Sequence, residues 1–148
     1  MKKLLVVLTI LIAFSTNIGY AEVPLREQIE IVPLQSMGVI NVVAGEKDRT
    51  MTVNHEIRDG DVYIECLIHP FTFTKEKVGH AHKDGEGHIR LYINNKHVDS
   101  IFRPAFIIKG LPTGNHEIKI EVAKNDKTPY DLEETFTISI PEKPAANS

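Results

Sequence analysis

Imidazole is the side chain of this sequence with the most chemistry to offer, and its distribution is uneven. All seven histidines fall between residues 55 and 116 of a 148-residue chain. His80, His82 and His88 sit in the segment Thr74-Lys-Glu-Lys-Val-Gly-His-Ala-His-Lys-Asp-Gly-Glu-Gly-His88, which has no apolar period. A structureless stretch of that length between elements is usually functional or disordered. In an extended chain His80 and His82 point to one side, because residues two apart share a face. The turn Asp84-Gly85-Glu86-Gly87 then reverses the chain and carries His88 back toward His82. Three neutral imidazoles beside a carboxylate are a donor set for Cu(II) or Zn(II). His116, which follows Leu111-Pro-Thr-Gly-Asn115 and opens a strand, is the first choice of fourth ligand. The spacing H-x-H-x5-H is no standard zinc signature. A glycine-rich surface loop in which histidine is simply a solvated residue stays open as the other reading.

The remaining reactive side chains point away from catalysis. His55 shares strand parity with Met51, Val53 and Ile57, which predicts a hydrogen-bonded place in the core or at its rim, whereas His69 before Pro70 and His97 are expected at the surface. The single cysteine, Cys66, cannot form an internal disulfide and shares the parity of Val62, Ile64 and Ile68, so it reads as a buried, inert thiol. There is no G-x-S-x-G elbow, no glycine loop of the phosphate-cradling kind and no helix to carry H-E-x-x-H. No enzyme activity is expected. The 17 Lys and Arg against 20 Asp and Glu, a net charge of −3, give no basic surface to neutralise a phosphate backbone, which excludes nucleic acid as a partner.

Strands must position these groups. Apolar and polar residues alternate in Met51–Ile57, Val62–Ile68, Ile89–Ile93, Ile118–Val122 and Phe136–Ile140, broken by Gly, Pro, Asn and Asp. Asp59-Gly60 and Asn94-Asn95 read as hairpin turns, and Ala105–Lys109 as a further strand. Turn signals at such short intervals predict an all-β protein, an antiparallel immunoglobulin-like β-sandwich of about 7–9 strands, with a closed barrel as the alternative. The sandwich is expected over residues 37–141. Residues 22–36, with Pro24 and Pro33, read as an extended arm or short edge segment, and residues 142–148 as a flexible tail.

The start of the chain reads as an address. Met1-Lys2-Lys3 precedes the apolar run Leu4–Phe14 and the polar Ser15-Thr16-Asn17, with Gly19 and Ala21 at the −3 and −1 positions of a cut before Glu22. This is the pattern of a secretory signal peptide over residues 1–21, removed after Ala21, and it predicts a secreted or periplasmic protein. The run is shorter than the ~20 residues of a membrane-spanning helix, so no permanent membrane anchor is expected.

Gly85-Glu-Gly-His-Ile-Arg-Leu-Tyr-Ile-Asn-Asn-Lys96, Leu111-Pro-Thr-Gly-Asn-His-Glu-Ile-Lys-Ile120 and Asn125-Asp126 resemble the G-H-x-H-hydrophobic-Y-x-D-G-K, L-P-x-G-x-H-x-I-x-V and N-D-H segments of small secreted bacterial immunoglobulin-like domains, similar to YtkA-like modules. The resemblance implies handling of copper or another metal outside the cytoplasm, with His88 and His116 at motif positions. Arg90 stands where the second histidine of G-H-x-H would be, and Lys127 where the histidine after Asn-Asp would be. The functional expectation is therefore an exported, non-enzymatic binding protein that holds copper or zinc through His80, His82, His88 and His116. The alternative is a cell-surface or periplasmic interaction module without metal, whose partner is another exported protein.

Overall fold

Apolar residues at every second position can be buried only if the strands that carry them stack in two layers, and this chain does so. A computed structural model describes residues 24–35 and 48–142. Over these the elements are α1 (Leu25–Gln28), β1 (Glu30–Pro33), β2 (Thr50–Arg58), β3 (Asp61–His69), β4 (Thr72–Phe73), β5 (Glu86–Ile93), β6 (Lys96–Ile101), β7 (Ala105–Lys109), β8 (Gly114–Lys124) and β9 (Pro129–Ile140). One sheet has the order β1-β7-β3-β2; in the other, β4-β5-β8-β9, β6 also pairs with β5. In space the orders β2-β3-β7-β1 and β6-β5-β8-β9 resemble the A-B-E-D and C′-C-F-G layers of immunoglobulin-type sandwiches, with β1, which precedes all the others in the chain, in the place of D. The two sheets are separate layers, so the barrel alternative falls away.

Two hairpins set the register. Asp59 and Gly60 have φ of 54° and 85°, and Asn94 and Asn95 of 51° and 63°. Two successive residues with positive φ make the turn whose twist matches that of the strands it joins. The ladders accordingly run to Arg58↔Asp61 and Ile93↔Lys96, the residues flanking each turn. The core lies between the sheets, with Val62, Ile64, Cys66, Phe106 and Ile108 on one side and Ile89, Leu91, Ile93, Ile118, Ile120, Ile138 and Ile140 on the other. Each such aliphatic side chain contributes about 1.5–3 kcal/mol on burial, which lets the fold form without a disulfide. Cys66 is buried as its parity predicts; desolvation, aided by Glu134 and Glu65, pushes its thiol up to about 12.

Of the two readings of residues 22–36, the short edge segment is the one formed: Glu30–Pro33 pairs antiparallel with β7 from Glu30↔Lys109 to Pro33↔Phe106, which carries the sandwich N-terminal of residue 37. Two placements differ from the sequence expectation. β4 pairs with β5 in parallel, because Thr72 and Phe73 run alongside the start of β5 rather than leading into it by a hairpin. His55 is exposed and takes the outer of its two expected positions, with a ring stack in place of the expected hydrogen bond. β2 is the edge strand of its sheet, and its outermost gap toward β9 leaves His55 stacked on Phe136 with ring centroids 4.1 Å apart. The signal-peptide residues 1–21 and the tail from residue 143 lie outside the described residues.

Candidate functional site

The segments that join β3 to β5, β6 to β7 and β8 to β9 lie at one end of the sandwich. The first, residues 70–85, is long and polar, and it is fastened at several points. Asn125, fully buried in the β8–β9 turn, accepts a hydrogen bond from Thr74 Oγ1 at 2.8 Å through Oδ1 and one from Gly79 N–H at 2.6 Å through its carbonyl. Asn125 Nδ2 donates to Glu86 Oε2 at 3.4 Å. Glu86, 7% exposed, also takes Lys77 Nζ at 2.7 Å and Lys83 Nζ at 3.0 Å, and these two ammonium groups hold its carboxyl well below the ordinary value, at about 2. Arg49 Nε donates to the Pro70 carbonyl at 2.9 Å while its Nη2 reaches Asp84 at 3.2 Å.

Tyr130, at the start of β9, ties the same end from the other sheet edge. Its hydroxyl donates to the Glu86 carbonyl at 2.9 Å. Phe71 and His82 meet its ring edge-on at 5.8 and 5.4 Å, and the Arg49 guanidinium sits 4.5 Å from its centroid. Thr74, Glu86, Asn125 and Tyr130 are thus the residues that shape this end. Of these, the sequence signalled Glu86 only as a turn carboxylate and Asn125 only through the Asn-Asp segment; nothing in it signalled Thr74 or Tyr130.

The four expected imidazole ligands do not meet. His80 and His82 are exposed on the segment between β3 and β5, His82 against Tyr130. His88 lies within β5, because the strand starts at Glu86 and takes His88 into the ladder opposite Ala123. Its side chain is 2% exposed and tilted against Phe102, with ring centroids 5.5 Å apart. Desolvation first, and then the charges of Arg90, His97 and Lys127, lower its pKa. His116 sits at the opposite end of β8, seven residues from Ala123, or about 23 Å along the strand at roughly 3.3 Å per residue. Among the described residues no three His, Cys, Asp or Glu side chains gather as a metal site.

His116 has a structural post instead. Its Nε2–H donates to the Pro112 carbonyl at 2.8 Å, and its Nδ1 accepts from Asn94 Nδ2 at 3.2 Å. Asn94 Oδ1 in turn accepts the Glu117 N–H at 3.0 Å. A ring at the start of β8, the strand in the place of F, that bonds back to backbone just upstream is the role a tyrosine fills in many immunoglobulin-type domains. With both nitrogens engaged and the ring 7% exposed, His116 has no lone pair to offer a metal.

No helix among the described residues is long and apolar enough to cross a membrane. No family model matches the chain and no curated protein matches it, so the likeness to YtkA-like modules rests on the quoted segments alone. Among solved structures, the spore cortex lytic enzyme SleM of Clostridium perfringens is 12% identical with a TM-score of 0.42, over 60% of this chain and 27% of that one. Fibronectin(III)-like modules of CbhA from Clostridium thermocellum are 13% identical with a TM-score of 0.40, over 61% of this chain and 97% of that one. The chain spans about a quarter of the length of the lytic enzyme it matches.

Proposed function

We propose that this chain is an exported, non-enzymatic binding module that recognises another exported protein with the end of the sandwich built from residues 70–85, 102–104 and 124–128. The observation that carries the reading is the way residues 70–85 are pinned by buried Thr74, Glu86 and Asn125 while Lys75, His80 and His82 face solvent. Ordering backbone costs about 1–2 kcal/mol per residue, and buried polar groups demand partners. A loop held at that cost presents one shape, which is how rigid scaffolds carry recognition surfaces. By fold-level analogy, this is the end at which antibody variable domains display their binding loops. Export rests on the Lys2-Lys3, Leu4–Phe14 and Gly19/Ala21 pattern.

Charge suggests the chemistry of the partner. Arg49, Lys75, Lys77, Lys83, Arg103, Lys124 and Lys127 stand at this end against Asp48, Glu76, Asp84, Glu86 and Asp126, in a chain of net charge −3, and Lys75, Arg103, Lys124 and Lys127 stand outside the ion pairs described above. An acidic patch on the partner would be steered toward it. The test is retention of exported proteins by the immobilised chain. Lys75→Glu/Arg103→Glu/Lys127→Glu should abolish retention, whereas Lys96→Glu/Lys109→Glu, at the other end, should not. Equal retention by both variants would overturn the reading.

The copper or zinc reading keeps a narrower basis in His80 and His82, both exposed and two residues apart. Calorimetric titration with Cu(II) and Zn(II) separates the two: micromolar binding lost in His80→Ala/His82→Ala would favour the metal and count against the interaction module.

A further inference from the structure

Two buried nitrogens lack partners, and they are neighbours. Among the described residues with buried polar side-chain atoms, His88 Nδ1 and Arg90 Nε make no hydrogen bond. Both side chains project from the same face of β5, opposite to core residues Ile89 and Leu91, and at two residues' separation they are roughly 7 Å apart along the strand. Native proteins seldom leave such atoms unpaired unless something small belongs between them.

The surroundings select its charge. Across β5, His88 faces the methyl of Ala123, and Arg90 is paired with Ser100 on β6 and with Glu121 on β8. Glu121 is the carboxylate opposite Arg90, and it is already taken by Arg90 Nη2 at 2.5 Å, by the Tyr92 hydroxyl at 3.2 Å and by Lys119 at 3.9 Å; Glu133, next to it on β9, is held by Lys119 at 3.2 Å. The other groups acting on the imidazole, His97 and Lys127, are basic, and Lys75 Nζ lies 6.0 Å from the ring centroid of Phe102, which covers His88. Arg90 Nε is a donor only, and His88 Nδ1 can donate as the neutral ring's second tautomer. Two unpaired donors on one face of β5, with basic side chains nearby and the facing carboxylate already engaged, suit an acceptor-only ligand.

We infer that His88 and Arg90 form a binding site for one small oxyanion of phosphate or sulfate type, which accepts hydrogen bonds from His88 Nδ1–H and Arg90 Nε–H, with Lys75 and Lys127 as the nearby basic side chains. The two donors lie on β5, outside the proposed recognition surface, while Lys75 and Lys127 belong to both, so Arg90→Lys, which leaves every residue of that surface in place, separates the two assignments.

The test is a titration of the full exported chain with sodium phosphate at constant ionic strength, followed by NMR of the histidine ring and arginine Nε–H signals. Saturable shifts of His88 and Arg90 are expected. Arg90→Lys keeps the charge and the reach to Glu121 but removes Nε–H, and should weaken binding by on the order of tenfold. His88→Phe keeps the stack on Phe102 and should do the same; if it does not fold, the wild-type signals and Arg90→Lys decide. A phosphoserine peptide in a parallel arm tells whether the anion is free or carried by a partner, since only inorganic phosphate shifts the signals in the first case. Shifts no larger than those caused by matched sodium chloride, as for a bridging water, would overturn the assignment. So would unchanged binding by Arg90→Lys, or displacement of the phosphate response by Zn(II) coordinated at His88.

Discussion

The post assigned to His116 can be measured by removing its two hydrogen bonds one end at a time. His116→Phe keeps the ring's bulk in a site that is 7% exposed but leaves the Pro112 carbonyl and the Asn94 amide without the partners they have at 2.8 and 3.2 Å. A net hydrogen bond is worth about 1 kcal/mol, and a buried group left unpaired costs about 1–3 kcal/mol, so the variant should lose about 2–4 kcal/mol. Asn94→Gly removes the other end while suiting the backbone φ of 51° at that position better than alanine would. It should cost about 1–2 kcal/mol, because the Glu117 N–H it frees can turn to water. The two changes share one bond, so the double variant should fall short of additivity by about 1 kcal/mol. Urea unfolding reads all three, with a midpoint shift of roughly 1–2 M expected for His116→Phe at a typical slope for a small domain. A cost below about 0.5 kcal/mol, or additive effects, would refute the corner. A wild-type stability that rises with added Zn(II) and stops rising in His116→Phe would refute it too, by returning His116 to the metal reading.

Gly87 lies where β5 crowds β8: a Cβ there would overlap the Ala123 carbonyl oxygen and come within 3.3 Å of Phe71 Cζ. Gly87→Ala should therefore cost about 3 kcal/mol in thermal or urea unfolding, and Phe71→Ala should fail to rescue it because the obstacle is backbone. The Glu86 carboxyl, held at about 2 by Lys77 and Lys83, contributes stability that is fully present above the ordinary value near 4.5 and is lost as pH falls through about 2, since protonating it dissolves both pairs. Acid unfolding followed by circular dichroism should show that slope between these values, and Glu86→Gln should flatten it. Cys66, with its thiol pushed up to about 12, should react with a disulfide reagent at pH 8 at least about a thousandfold more slowly in the native protein than in urea, because so little thiolate is present; comparable rates would show that the thiol is reachable without unfolding.

Which face a residue occupies and which partner it meets are separate questions, and the sequence answers them unequally. Period-two alternation is local, so Ile89, Leu91 and Ile93 declare the core face, and Asn94-Asn95 declares the turn after them, without reference to anything distant. The same parity put His88 on the outer face, where solvent would be the default, yet Phe102 from the segment between β6 and β7 covers it. His55 shows the converse: its parity is that of core residues, but it sits on an edge strand beside the gap to β9, where parity no longer means burial. The polar network that shapes the loop end depends on pairs far apart in the chain, Thr74 with Asn125 at a separation of 51 residues and Tyr130 with Glu86 at 44. No spacing rule reaches that far. Clustering of histidines in the sequence suggested convergence in space, but antiparallel strands send neighbours in opposite directions: β5 carries His88 into one end of the sheet while β8, leaving the corner at His116, starts from the other. A cluster in sequence becomes a cluster in space only where the segment carrying it stays at one end of the sandwich, which here holds for His80 and His82 alone of the four.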